Sequence, residues 1–95
     1  MLSFLPNTPS DIMHELRTKF KSRRKTLKLT QKELSGKADV SLGTLKRFEQ
    51  TGQISLEALL KLALVLECLE DFERVCEKRE EKVFGSIGEI VGEVL

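Results

Sequence analysis

Thr30-Gln31-Lys32-Glu33-Leu34-Ser35-Gly36-Lys37-Ala38-Asp39-Val40-Ser41-Leu42-Gly43-Thr44-Leu45-Lys46-Arg47-Phe48-Glu49-Gln50 is the stretch on which the fold turns. Thr30 and Glu33 have the spacing of a capping box, in which each side chain satisfies the other's backbone N–H, so a helix opens at Gln31 with Leu34 and Ala38 on one face. Asp39 tolerates the left-handed backbone that closes a helix, Val40 is apolar, and Ser41 can cap the next helix. That second helix is expected over about residues 42–50, with Leu45 and Phe48 inward and Lys46 and Arg47 outward. Two short helices joined by a tight turn result.

Upstream, Thr8-Pro9-Ser10-Asp11 combines a cap, a proline at the first helical position and an early acid. Ile12, Leu16, Phe20, Arg24 and Leu27 recur every three or four residues, which predicts a first helix over about 9–27 with its Lys/Arg outward. Downstream, Thr51-Gly52-Gln53 reads as a turn and Ser55 as the cap of a fourth helix, whose leucines make it apolar nearly all round. Such a helix is expected to be central to the core or to share an interface. Leu69, Phe72, Cys76 and Val83 continue the same spacing and predict a fifth helix through the acidic stretch. Gly85 breaks it. Ser86-Ile87-Gly88-Glu89 is another capping box, and Ile87, Ile90, Val91, Val94 and Leu95 predict a short amphipathic helix at the end. No strand pattern or long internal repeat is present.

Ninety-five residues, 40% hydrophobic and 33% charged, suit one helical domain with a modest core. The net charge of +1 conceals an asymmetry: residues 14–50 hold eleven Lys/Arg against four Asp/Glu, residues 51–95 five against ten. A basic half beside an acidic half suits a protein of which one face meets a polyanion. Cys68 and Cys76, roughly 12 Å apart if they share one helix, are too distant for a disulfide and read as buried small hydrophobes in a reducing compartment. With His14 alone, no zinc site can be assembled. No nucleophile–base set or glycine-rich phosphate loop supports catalysis. No apolar run approaches a membrane span, and Met1–Leu5 lacks a basic flank and is cut by Pro6, so neither a signal peptide nor a membrane anchor is expected.

The two short helices have helix-turn-helix spacing, which sets the second helix in a DNA major groove while the first crosses the backbone. Leu29-Thr30-Gln31-Lys32-Glu33-Leu34, Ala38-Asp39-Val40-Ser41 and Thr44-Leu45-Lys46-Arg47-Phe48-Glu49 together resemble the Xre/Cro/phage-repressor family, over about residues 16–66. Ser35 stands where a small Ala is usual, Asp39 replaces the glycine of the turn, and Lys28 replaces the glycine before Leu29-Thr30-Gln31.

The resemblance implies an all-α, repressor-like domain of four to five helices carrying the helix-turn-helix, with a C-terminal helical extension. It implies that Arg24 and Glu49 form a structural ion pair, and that Gln31, with Lys32 beside it, meets a phosphate at the start of its helix. Ser41, Leu42, Gly43, Lys46 and Arg47 match the DNA-facing positions of the recognition helix, and Thr44 reads equally as a DNA contact or as a helix-interior hydroxyl. Arg47 can address guanine O6/N7, whereas Leu42 and Gly43, usually polar in strongly base-reading relatives, can read only thymine methyls or shape. Thr51, Gln53 and Lys28 are candidate phosphate contacts from loops.

The expected organisation is an N-terminal arm (1–8), a DNA-binding domain (9–67) and a C-terminal extension (68–95) that dimerises. The expected protein is a cytoplasmic, nucleoid-associated homodimer on double-stranded DNA, without cofactor, metal, membrane or enzymatic activity. An alternative comes from residues 41–57, which resemble regulators encoded beside Hip-type kinase toxins: an antitoxin that binds its toxin partner and autoregulates its operon. A helix-turn-helix that has lost DNA binding is a third.

Overall fold

The computed structural model describes residues 7–78 and arranges them as five α-helices: α1 (Pro9–Thr26), α2 (Gln31–Ala38), α3 (Leu42–Thr51), α4 (Leu56–Val65) and α5 (Leu69–Glu73). The first four begin after a hydroxyl. Thr8, Thr30, Ser41 and Ser55 accept hydrogen bonds of 3.0–3.1 Å from the amides of Asp11, Glu33, Thr44 and Ala58. Asp11 and Glu33 return the bond to the Thr8 and Thr30 amides, closing two capping boxes.

The helices end as consistently as they begin. After α1, α2 and α4 the chain turns left-handed at Lys28, Asp39 and Glu67, with φ of 59°, 57° and 62°. In each case two amides fold back on the last helical turn: Lys28 and Leu29 onto Lys25 and Arg24, Asp39 and Val40 onto Gly36 and Ser35, Glu67 and Cys68 onto Leu64 and Ala63. This is the Schellman arrangement, which satisfies carbonyls a helix end would otherwise leave bare. Asp39 was expected to close α2 in this way; Lys28 and Glu67 do so although both are long charged residues.

The core is Phe20, Leu34, Ala38, Val40, Leu45, Phe48, Leu59, Leu62, Ala63 and Leu66, all buried. Each large side chain removed from water contributes about 1.5–3 kcal/mol. One seam of α1 seats α3. The Phe20 and Phe48 rings meet edge to face at 5.5 Å, Arg24 binds Glu49, and Arg17 Nη1 donates to the Glu49 carbonyl at 2.9 Å. Gly52, at φ 84°, lies where a Cβ would come within 3.0 Å of the Met13 carbonyl oxygen. Arg23 Nε likewise donates to the Leu66 carbonyl at the end of α4, at 2.9 Å. Two arginines of the basic first helix therefore bind other helices' C-terminal carbonyls, where the helix dipole favours a cation.

Three expectations are corrected. The fifth helix stops at Glu73 instead of running to Val83, and the chain turns at 74–76 with Cys76 left-handed at φ 62°. Cys68 and Cys76 are not buried together on a helix: Cys68 precedes α5 and is half-buried, while Cys76 follows it and is exposed. Burial and the neighbouring Asp71 carboxylate push the Cys68 thiol above its ordinary pKa. Ile12, first of the α1 stripe, is exposed, because the inward seam begins at Leu16. The second part of the α5 expectation, from Arg79 onward, and the amphipathic segment 86–95 lie outside the described residues.

Gly36 of α2 makes a test of helix economy, since a Cβ there would meet nothing within 4 Å. Gly36→Ala is expected to stabilise by about 0.5–1 kcal/mol. Gly52→Ala should destabilise by more than that, through its positive φ and the Met13 carbonyl. Thermal melts of the two variants should move in opposite directions, by about 4–8 °C per kcal/mol.

Candidate nucleic-acid interface

With Leu45, Phe48 and Glu49 buried against the rest of the domain, α3 turns one stripe to solvent: Gly43, Lys46, Arg47 and Gln50. They sit at i, i+3, i+4 and i+7 and so share one helical face. Sequence reasoning missed Gln50, although its spacing from Lys46 and Arg47 places it on their face. Leu42 and Thr44 flank the stripe half-buried. Nothing stands within 4 Å of where a Gly43 Cβ would be, so the fold does not require this glycine.

Ser41 and Thr44 are brought together at the entry to α3. Ser41 Oγ accepts from the Thr44 amide and donates to Thr44 Oγ1 at 2.8 Å, so both hydroxyls serve the cap. At the exit, Thr51 Oγ1 donates to the Arg47 carbonyl at 2.8 Å and accepts from the Gln53 amide at 3.1 Å. Gln53 Oε1 in turn accepts from Arg47 Nη2. Arg47 and Gln53 line a depression of about 340 Å³ together with Thr44, Ile54 and Ser55.

The Arg24–Glu49 pair is present and buried. Arg24 Nε and Nη2 donate to the two carboxylate oxygens at 2.8 and 3.0 Å, while Nη1 reaches the Leu29 carbonyl at 2.9 Å. Gln31 joins it, donating from Nε2 to Glu49 Oε1 at 2.9 Å. Burial alone would raise the Glu49 carboxyl, but the hydrogen bonds from Arg24 and Gln31 and the charges of Arg24 and Lys21 outweigh it and hold the group below its ordinary value. Gln31 thus sits half-buried with its amide turned inward, one N–H and its carbonyl oxygen remaining for a further partner. Lys32 is exposed beside it in sequence, and Lys28 is exposed in the turn before α2.

Among the described residues no group of His, Cys, Asp and Glu can hold a metal, and no helix is long and apolar enough to cross a membrane. The family model described as helix-turn-helix matches residues 20–72, from the middle of α1 into α5. No curated protein and no solved structure matches the chain.

Proposed function

Because the chain belongs to the Xre/Cro-like helix-turn-helix family of DNA-binding transcription regulators, we propose that it is a sequence-specific repressor that binds duplex DNA as a homodimer and acts by occupancy. The observation that carries this reading is the solvent-facing stripe of α3, with Lys46 and Arg47 on a helix anchored along its opposite side by Phe20, Arg17 and Arg24. An anchored helix holds its outward side chains in one register, as reading base edges in a major groove requires. In this reading Arg47 addresses a guanine. Gln31 meets a phosphate with its remaining N–H at the positive end of α2, and Lys28, Lys32 and Lys46 meet further phosphates. Gln50 joins the base-facing set.

The homodimer part of the proposal is supported by apolar surface. Leu56 and Leu64 of α4 are 68% and 64% exposed, with half-buried Leu60 between them on the same face. The sequence adds Ile87, Ile90, Val91, Val94 and Leu95. We assign DNA contact to residues 9–67 and dimerisation to 68–95 acting with the α4 face.

Selection of duplexes from a random pool, followed by two variants on the recovered site, tests the reading. Arg47→Ala is expected to weaken the selected site by about 1–3 kcal/mol and relax the preference at one base pair. Gln31→Ala should weaken all sequences more evenly. If no duplex is enriched while the variants remain folded by circular dichroism, the protein is a partner-binding module, and the exposed α4 leucines are where a toxin partner would be sought.

A further inference from the structure

The closed ring of hydrogen bonds at the end of α3 shows more than a helix terminus. We infer that Gln53 is a positioning residue that sets the aim of Arg47, and so the specificity of the recognition helix, instead of a phosphate contact in its own right. The inference rests on Arg47 reading a base, as proposed above. Arginine is long and exposed here, and an untethered guanidinium must give up rotamer freedom to make a bidentate contact. Gln53 Oε1 takes one N–H of Nη2. Four of the five guanidinium donors remain, enough for the two-pronged contact with guanine O6 and N7.

Gln53 is itself held. Its backbone N–H donates to Thr51 Oγ1, which donates to the Arg47 carbonyl one turn back, so the tether runs from the arginine's own backbone through Thr51 and Gln53 to its tip. Gln53 lies just before the Ile54-Ser55 entry to α4, whose capped first turn fixes the backbone there. The carbonyl oxygen, the half of the amide that would repel a phosphate, is the half turned toward Arg47. A phosphate contact from this side chain would have to come from Nε2 alone.

The test measures the ratio of affinities for the selected duplex and for one altered at the base pair read by Arg47, at several salt concentrations, in the full chain. Gln53→Ala is expected to lower this ratio by about 2- to 12-fold, the equivalent of one net hydrogen bond, with an unaltered salt slope. Gln53→Glu keeps the acceptor and should keep the ratio while weakening all binding through its charge. In an Arg47→Ala background, Gln53→Ala should change the ratio no further. An even loss across all sequences with a shallower salt slope would overturn the inference and make Gln53 a phosphate contact. If Arg47→Ala lowers the ratio and Gln53→Ala does not, the inference fails while the reading of Arg47 stands. If Arg47→Ala itself leaves the ratio unchanged, the reading beneath it fails as well.

Discussion

Glu49→Ala is expected to destabilise the domain by about 3–5 kcal/mol, the usual cost of stranding one member of a buried ion pair. Arg24 and Glu49 are only 7% and 4% exposed, and Glu49 accepts three side-chain hydrogen bonds, so its removal leaves the Arg24 charge and the Gln31 amide without their partner. For a chain of this size the melting temperature should fall by at least about 12 °C. Replacing both members with apolar residues of similar volume should cost far less, because desolvation of the two charges disappears with their attraction. A loss below about 1 kcal/mol for the single variant, read from urea denaturation, would show that water replaces the pair freely. The same carboxylate makes stability depend on pH on the acid side. Its folded pKa is below the ordinary 4.5, so the unfolded chain binds the proton more readily. The stabilisation is present in full above about pH 4.5 and is lost as the pH falls through the folded value; Glu49→Gln should flatten that limb. Asp11, lowered by hydrogen bonds from Thr8, contributes in the same direction.

The fold was legible where the chain's own local chemistry decides it. Thr30 with Glu33, Ser41 and Ser55 announce helix starts because a hydroxyl followed by an amide three residues on is a local contact. Asp39 announces an end for a similar reason. Arg24 and Glu49, separated by 25 residues, were paired through family resemblance, and only the packing of α2 against α3 shows Gln31 as the third member. Arg17 and Arg23 looked like part of a solvated basic face because sequence does not show that the carbonyl ends of α3 and α4 come to rest beside them. The continuous fifth helix was inferred from apolar spacing alone. That spacing does not register the turn after Glu73, where Cys76 takes a left-handed conformation without any glycine to signal it. Gln50 was legible and passed over, since charge drew attention to Lys46 and Arg47.

Binding to duplex DNA should fall steeply with salt, and the slope should report how many copies bind. Arg24 is buried, and Arg17 and Arg23 hold helix ends, so the +7 balance of residues 14–50 overstates what a phosphate backbone would meet. In the proposed interface Lys28, Lys32 and Lys46 face phosphates and Arg47 a base. Three phosphates neutralised per protomer give six for a dimer and a slope of log affinity on log salt near about −5.4, against about −2.7 for a single copy. Between 50 and 200 mM salt a dimer then loses about 10³ in affinity, and a monomer only about 40-fold. Titration of the selected duplex across that range therefore separates the two stoichiometries without a size measurement. Lys46→Ala should remove one phosphate from each protomer and flatten the dimer slope by about 2. An affinity that does not change with salt would remove the electrostatic basis of the interface, and with it the proposal that this face meets DNA. A slope near the monomer value would leave that face intact and direct attention to the exposed leucines of α4 as a surface for some partner other than a second copy.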